Sequence, residues 1–189
     1  MTLDILLLGP PGAGKGTQGA LLAKRLGLPK FATGDLLRDA VKRGTPLGLQ
    51  AKAVMEAGQL VSDDLILGVV GDEIASAEAK HGVVFDGVVR TIPQAVGVQT
   101  LLEKHGRQMD HILFFDVVDA ELLNRLSKRQ GLEGRADDDP AAVAVRLKTY
   151  REHTAPVLEW YRKRGAVSTI NAIGSVDEVA DRVRQVLGR

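Results

Sequence analysis

A glycine-rich segment between an apolar run and an amphipathic run constrains the fold of this chain more than any other feature. Residues 4–8 have the character of a buried strand, residues 15–26 that of a helix, and the segment GPPGAGKGT (residues 9–17) lies between them. Its glycines let consecutive backbone N–H groups curl around a phosphate, the helix N-terminus adds positive potential, and Lys15 supplies a mobile cation. Gly16 separates Lys15 from Thr17, whereas the general nucleotide-loop pattern has Ser or Thr directly after the lysine. The position between strand and helix still predicts a phosphate-binding loop, because an ordinary turn needs only one glycine.

The rest of the chain alternates short apolar runs with longer amphipathic runs, which predicts an α/β fold. Further strands are predicted at residues 83–86, 111–117 and 166–170. Helices are predicted at residues 15–26, 34–43, 47–57, 63–81, 92–105, 120–130, 140–164 and 176–187. Right-handed crossovers between such strands give a parallel sheet with helices on both faces and ligands at the carboxyl ends of the strands. Residues 33–61 and 131–139 fit this sheet poorly, and both are predicted to be insertions over one edge of the site.

Composition narrows the class of protein. The 189 residues fit one domain spanning residues 1–189, and the 0 Cys exclude disulfides, thiol nucleophiles and zinc held by cysteine. The 25 Lys and Arg residues are balanced by 24 Asp and Glu, so no overall positive field exists to hold nucleic acid or an anionic membrane. No apolar run approaches the ~20 residues of a membrane span, and the 4 His lack metal-ligand spacing. We therefore expect a cytoplasmic protein with a local anion site and no nucleic-acid or membrane partner.

Further motifs follow the phosphate loop in a fixed order. They are FATGDLLR at residues 31–38, GQLV at 58–61, DGVVRT at 86–91 with Gln94, KR at 128–129, GRADD at 134–138, Arg146 and Tyr150. Together they cover nearly the whole chain, and in this order they resemble the adenylate kinases, which transfer a phosphoryl group reversibly from MgATP to AMP and give two ADP. The resemblance implies the P-loop nucleotide-binding fold, a nucleoside-monophosphate-binding insertion at residues 33–61 and a short lid at residues 129–139.

The resemblance also implies roles for individual residues. The expected ATP-binding residues are Gly12, Ala13, Gly14, Lys15, Gly16, Thr17, Arg129 and Gly174. The expected AMP-binding residues are Thr33, Arg38, Gln59, Leu60, Val61, Gly87, Val88, Val89, Arg90, Gln94, Arg135 and Arg146. The expected catalytic residues are Lys15, Arg90, Arg129, Arg135 and Arg146. Arginine suits this task because its planar guanidinium stays charged and binds phosphate oxygens in pairs. Four further arginines, at positions 125, 151, 162 and 164, are expected to be solvated surface residues.

A magnesium ion is the expected cofactor. Asp86 ends a predicted strand beside the phosphate loop, and with Thr17 it is expected to hold Mg²⁺ through water. The absence of cysteine excludes the zinc-binding form of the lid that some relatives carry. ATP, AMP and ADP are the expected small-molecule partners, and the chain is expected to be a monomer.

Three alternatives stay open on the sequence. The acceptor could be UMP, CMP or GMP, although by resemblance Thr33 and Gln94 favour AMP. The chain could be a nucleotide-dependent switch without transferase activity, although the Asn-Lys-x-Asp string of guanine-binding switches is absent. Asp137 and Asp138 could be the acid/base pair of a hydrolase, although a lid also needs acids to pair with its arginines.

Val88 and Val89 depart from the family pattern, which has Phe-Pro before the arginine, usually with a cis proline. If the backbone stays cis without that proline, the cost is about 3–4 kcal/mol; if it relaxes to trans, Arg90 must be re-aimed. We expect the activity to persist with an altered affinity for AMP.

Overall fold

The computed structural model describes residues 2–133, 136–165 and 167–188, and its centre is a parallel β-sheet. The strands are β1 (Ile5–Leu8), β2 (Lys30–Ala32), β3 (Val84–Asp86), β4 (His111–Asp116) and β5 (Val167–Asn171). They lie in the order β2-β3-β1-β4-β5, and each neighbouring pair is parallel. The predicted α/β fold with a parallel sheet is confirmed. The short edge strand β2 was not predicted.

Helices connect the strands. They are α1 (Lys15–Leu26), α2 (Thr33–Lys42), α3 (Pro46–Glu56), α4 (Asp63–Ala75), α5 (Ile92–Lys104), α6 (Asp119–Glu133), α7 (Pro140–Thr149), α8 (Ala155–Arg162) and α9 (Val176–Leu187). Short 3-10 turns follow at Glu78–His81 and Ala136–Asp138, and a π-helical turn spans Tyr150–Thr154. In the part of the chain that the structure describes, every helix is too short or too polar to cross a membrane.

Alternate side chains of β1 point to opposite faces of the sheet, and each face is covered by its own layer of helices. Leu6 and Leu8 pack with apolar side chains of α2, α4, α5 and α8. Ile5 and Leu7 pack with those of α1, α6, α7 and α9. The strand residues of both layers are almost completely buried, so the apolar sequence of β1 follows from its burial on both sides.

Two predicted helices are interrupted, which corrects their boundaries. The helix predicted at residues 63–81 ends at Ala75, because Ser76 has an extended backbone with φ −69° and ψ 155°. The helix predicted at residues 140–164 contains the π-helical turn, and Pro156 follows this turn. A proline has no N–H to donate to the preceding turn, which explains why regular α-helical hydrogen bonding fails there.

A buried ion pair fixes the end of the sheet that lies away from the phosphate loop. Asp4 precedes β1, and its carboxylate accepts hydrogen bonds from Arg107 Nη2 at 2.5 Å and Nε at 2.9 Å. Arg107 Nη1 donates to the carbonyl of Ile74 at 3.1 Å, and the N–H of Val83 donates to Asp4 at 3.0 Å. The pair therefore ties β1 to the end of α4, to the start of β3 and to the loop before β4.

Candidate nucleotide-binding site

A large cleft of about 410 Å³ opens at the carboxyl ends of β1 and β3. The phosphate loop forms one wall, and the start of α2 and the π-helical turn contribute to the others. This is the position expected for a ligand in a parallel α/β sheet. A smaller pocket of about 60 Å³ lies beside it, between α2, the segment after α3 and the start of α5.

The phosphate loop has the backbone conformation that its glycines allow. Gly12 and Gly14 have φ values of 83° and 86°, and Gly14 directly precedes α1. A side chain is strained at such φ values, so glycine is needed at both positions. The loop therefore presents the N-terminus of α1 to the large cleft, as an anion site requires.

Lys15 lies against the phosphate loop. Its Nζ donates to the carbonyl oxygens of Gly9 at 2.7 Å and Pro10 at 2.9 Å. Burial lowers its pKa from 10.5 to about 8; Asp86 opposes this shift, and the nearby charge of Arg90 adds to it. An anionic ligand in the cleft would stabilise the charged form of this lysine.

Arginines from four segments meet at the large cleft and the small pocket. Arg38, Arg90 and Arg146 line both cavities, and Arg129 lines the large cleft. Arg90 Nε donates to the carbonyl of Gly87 at 3.0 Å. Burial lowers the pKa values of Arg90 and Arg146, and in Arg90 the charge of Arg146 contributes to the shift. The chain thus concentrates positive charge at one point despite its net charge of +1.

Two acidic residues of the Ala136–Asp138 turn partner these arginines. Arg129 donates to both carboxylate oxygens of Asp138 at 2.5 and 2.6 Å, and Arg146 Nη1 donates to the same carboxylate at 2.7 Å. Burial alone would raise the pKa of Asp138, but the hydrogen bonds and charges of Arg129 and Arg146 outweigh it and lower the pKa. Asp137 lies 3.1 Å from Arg146 and 3.6 Å from Arg38. Both acids are therefore engaged as counter-charges, which argues against a free acid/base pair of a hydrolase.

The small pocket contains most of the residues expected to bind AMP. Those that line it are Thr33, Arg38, Gln59, Leu60, Val61, Gly87, Arg90, Gln94 and Arg146. The Thr33 hydroxyl donates to the carbonyl of Gly87 at 2.8 Å and so joins α2 to the end of β3. Val88 and Val89 instead pack in the hydrophobic layer with 0% and 1% exposure, and Val89 also lines the large cleft. The peptide bond between the two valines is trans, and Arg90 still reaches the site.

Most residues expected to bind ATP line the large cleft. They are Gly12, Ala13, Gly14, Lys15, Gly16, Thr17 and Arg129. Gly174 lies between β5 and α9 and lines neither cavity. Arg135 lies outside the described residues.

The residues expected to hold magnesium offer oxygen ligands. Asp86 and Thr17 line the large cleft together with Asp35. Among the described residues, no group of three or more His, Cys, Asp or Glu side chains could hold a metal by itself. Mg²⁺ is commonly bound by one or two carboxylates together with substrate phosphates and water. The oxygen atoms of Asp86, Thr17 and Asp35 fit this way of binding Mg²⁺.

Comparison with known proteins decides the family. The adenylate kinase family model matches residues 7–166. The chain is 47% identical to the adenylate kinase of Gemmatimonas aurantiaca over 209 aligned positions, which cover 97% of this chain and 98% of the relative. It is 44% identical to the adenylate kinase of Xanthomonas campestris pv. campestris, covering 99% of this chain and 100% of the relative.

The chain belongs to the adenylate kinase family. It is therefore a phosphotransferase, and the predicted family and reaction are confirmed. Adenylate kinases use MgATP, and ATP, AMP and ADP are the substrates that membership implies. Both the switch without transferase activity and the kinase for UMP, CMP or GMP are thereby set aside.

Several residues in this adenylate kinase site were not predicted from the sequence. Lys30 Nζ lies 3.3 Å from the carbonyl of Gly16, 3.4 Å from Asp35 and 3.9 Å from Asp86. This lysine comes from the unpredicted strand β2, so the sequence placed neither it nor its contacts. Burial alone would raise the pKa of Asp35, but Arg38 and Lys30 lower it.

Arg125 corrects the expectation that it is a solvated surface residue. Its side chain is only 24% exposed, and it donates from Nη2 to the carbonyl of Ala172 at 2.9 Å and from Nε to Glu121 at 2.7 Å. A Cβ built on Gly14 would lie 3.9 Å from its Nη1. The spacing of Arg125 and Arg129 by one helical turn of α6 is the sequence signal that could have placed both near the phosphate loop.

The π-helical turn also contributes to the site. Tyr150 and Thr154 line the large cleft, and the Thr154 hydroxyl donates to the carbonyl of Arg90 at 2.9 Å. Burial, with a smaller contribution from Asp116, raises the pKa of Tyr150 to about 12, so its hydroxyl stays protonated at neutral pH.

Proposed function

We propose that the large cleft binds MgATP, that the small pocket binds AMP, and that the phosphoryl group passes between them at the shared arginines. The supporting observation is that Arg38, Arg90 and Arg146 line both cavities. A phosphate in either cavity would reach the same guanidinium groups. This is the arrangement that transfer between two bound nucleotides needs.

The proposed roles of the residues follow from the charge of the reaction. Phosphoryl transfer leaves little covalent chemistry to the protein, which aligns the reactants and neutralises the transferred oxygens. Lys15 and the N-terminus of α1 would hold the ATP phosphates, and Arg38 and Arg90 the phosphate of AMP. Arg129, Arg135 and Arg146 would surround the transferred group.

Magnesium would be held at Asp86 and Thr17 through water. When bound, Mg²⁺ neutralises charge on the phosphate oxygens and helps to orient them. The Thr17 hydroxyl and the Asp86 carboxylate would accept hydrogen bonds from water molecules of its shell. Lys15 would approach the same phosphates from the loop.

Two segments would close over the substrates. We propose that residues 33–61 form the monophosphate-binding insertion and residues 129–139 the lid. In the described part of these segments, Asp137 and Asp138 are paired with arginines that would meet phosphate. Substrate phosphates would replace these carboxylates, and closure would then exclude water from the reacting group.

We further propose that the chain acts as a monomer in the cytoplasm. Both cavities are lined by residues of one chain, so neither needs a partner subunit. A sequence with 0 Cys suits a reducing compartment. Light scattering after gel filtration, with and without nucleotides, tests the monomer, and a dimer under assay conditions would contradict it.

Steady-state kinetics of Arg38→Met test the assignment of the two cavities. Arg38 lines both cavities with its side chain 27% exposed, and its proposed role is to hold the phosphate of AMP. We expect the KM for AMP to rise ~10-fold or more, because hydrogen bonds to charged groups contribute about 1.5–3 kcal/mol, while the KM for ATP changes less than twofold.

Arg43→Met is the matched control, because Arg43 lies directly after α2 with its side chain 66% exposed. It should leave both KM values unchanged. An equal rise of both KM values in Arg38→Met, or no rise in either, would overturn the assignment.

A further inference from the structure

The side-chain amide of Gln94 is held in one orientation. Gln94 is 1% exposed. Its Oε1 accepts from the backbone N–H of Arg90 at 2.7 Å, and its Nε2 donates to Asp63 Oδ1 at 2.8 Å. A glutamine amide has two N–H donors and two lone pairs on its oxygen. One N–H and one lone pair therefore remain for a ligand in the small pocket.

The partners of Gln94 have opposite hydrogen-bonding character. The Arg90 N–H is only a donor, whereas a carboxylate such as that of Asp63 is only an acceptor. A flipped amide would place its NH₂ group against the Arg90 N–H and its oxygen against the Asp63 carboxylate. Both contacts of this buried glutamine would then be repulsive, so Asp63 and the backbone of Arg90 together fix which side carries the oxygen.

Asp63 is itself held in place by the start of α5. Its Oδ1 also accepts from the Thr91 hydroxyl at 2.9 Å, and that hydroxyl accepts from the backbone N–H of Gln94 at 3.2 Å. Thr91 is thus both the N-cap residue of α5 and a hydrogen-bond donor to Asp63. Ser62, the N-cap residue of α4, makes no side-chain capping bond. Asp63 directs its carboxylate to the small-pocket network instead.

We propose that Asp63 is a positioning residue that fixes the Gln94 amide and thereby makes the small pocket prefer adenine to guanine. This inference rests on the proposed binding of AMP at Gln94. Adenine presents an amino donor at C6 and an acceptor at N1, whereas guanine presents a carbonyl acceptor at C6 and an N–H donor at N1. The two bases need opposite orientations of one amide. A fixed amide leaves buried groups unpaired against the wrong base, which is how strong discrimination arises.

Asp63→Asn tests the proposal with almost no change of shape. The asparagine amide can offer either its oxygen or its NH₂ group to Gln94, so the restriction on the Gln94 amide is relaxed. We expect the KM for AMP to rise and the ratio of kcat/KM for AMP over GMP to fall, each by ~10-fold, the size of a lost hydrogen bond to a charged group. The kcat for AMP and the KM for ATP should change less than twofold.

Asp64→Asn is the matched control. Asp64 is the next residue of α4 and also an acid of its first turn, and its side chain makes no hydrogen bond or ion pair with the described residues. Asp64→Asn removes the same negative charge near the N-terminus of α4, where an acidic side chain is favourable. We expect an unchanged KM for AMP and an unchanged AMP to GMP ratio.

Asp63→Glu separates orientation from packing. It keeps an acceptor-only group, so the preference for AMP over GMP should be retained even where the KM for AMP rises. The side-chain ¹⁵N–¹H resonances of Gln94 give a readout without turnover. The chemical shifts of these resonances should change in Asp63→Asn and stay the same in Asp64→Asn.

The outcomes are distinguishable. Equal KM values and equal base ratios in Asp63→Asn and Asp64→Asn would overturn the positioning role. A parallel rise of the KM values for AMP and ATP with a loss of stability would also overturn it, since that is a structural defect. Gln94→Ala separates the two proposals: an unchanged KM for AMP there would refute AMP binding at Gln94 itself. A raised KM in Gln94→Ala with a neutral Asp63→Asn would refute only the present inference.

Discussion

Removing the cation from the buried pair of Asp4 and Arg107 should destabilise the fold without affecting the site. The Arg107 side chain is 6% exposed and that of Asp4 is 0% exposed. In Arg107→Met the Asp4 carboxylate would stay buried and lose its cationic partner, which costs about 3–5 kcal/mol. For a chain of this size each kcal/mol lowers Tm by about 2–4 °C, so a fall of about 6–20 °C is expected.

Urea and thermal unfolding followed by circular dichroism measure this effect. The double variant Asp4→Asn/Arg107→Met removes the buried charge together with its partner, and it should recover part of the lost stability. Arg43→Met is the control, because the exposed pair of Arg43 and Asp39 should contribute at most ~1 kcal/mol. The KM values for ATP and AMP should not change, since Asp4 lies at the opposite end of β1 from the phosphate loop.

Two results would refute this reasoning. One is a loss below ~1 kcal/mol in Arg107→Met, which would mean that water or another group solvates Asp4 as well as the guanidinium does. The other is a loss of unfolding free energy in the double variant that equals the sum of the losses in Asp4→Asn and Arg107→Met. Additivity of that kind would show that the two side chains are not coupled.

Further predictions concern the site. Lys15→Met should nearly abolish turnover and keep the far-ultraviolet circular dichroism spectrum; retained activity would contradict its role. Because burial lowers the pKa of Lys15 to about 8, ATP binding should take up a proton at pH 8–9 and weaken above pH 8, as calorimetry in two buffers can measure; binding without proton uptake would contradict this. The same shift means that between pH 8 and 10.5 the unfolded chain holds the proton that the folded chain has lost, so this group's contribution to unliganded stability rises with pH there. Val88→Phe/Val89→Pro should change the KM for AMP, since both valines are buried beside Arg90; identical kinetics would exclude an effect of this pair. Lys30→Gln should tighten Mn²⁺ binding to the ATP complex severalfold, because it removes a positive charge 3.9 Å from Asp86; unchanged or weaker binding in a paramagnetic resonance titration would refute this.

The sequence predicted the sheet well wherever strands are buried on both faces. The run that forms β1 is apolar at each position because helices cover both sides, and residues 15–26 were predicted with the observed bounds of α1. β2 has only three residues, of which only Phe31 is buried, so neither an apolar run nor an alternation was visible. The interruption at Ser76 depends on a local backbone conformation for which the residue type gives no clear signal.

The candidate site was predictable to the extent that it is encoded in contiguous motifs. The phosphate loop and the arginines at positions 38, 90, 129 and 146 lie at the cavities as the resemblance implied. The contacts that orient them were not predictable, because they join residues far apart in sequence. Asp63 meets Gln94 across 31 positions, and Arg125 meets Ala172 across 47. Val88 was placed in a binding motif, yet its side chain is buried in the hydrophobic core.

The acids of the Ala136–Asp138 turn connect the charge of the site to its movement. Partly buried arginines are costly without a counter-charge, and the described structure supplies one through Asp137 and Asp138. A bound phosphate would offer the same arginines more negative charge and more acceptor oxygens than a carboxylate does. Under the proposed function, the arginines therefore exchange one partner for another: they bind phosphate as they release the carboxylates of this turn. Because the exchange keeps the arginines paired throughout, the proposed lid can move without leaving a buried guanidinium unneutralised.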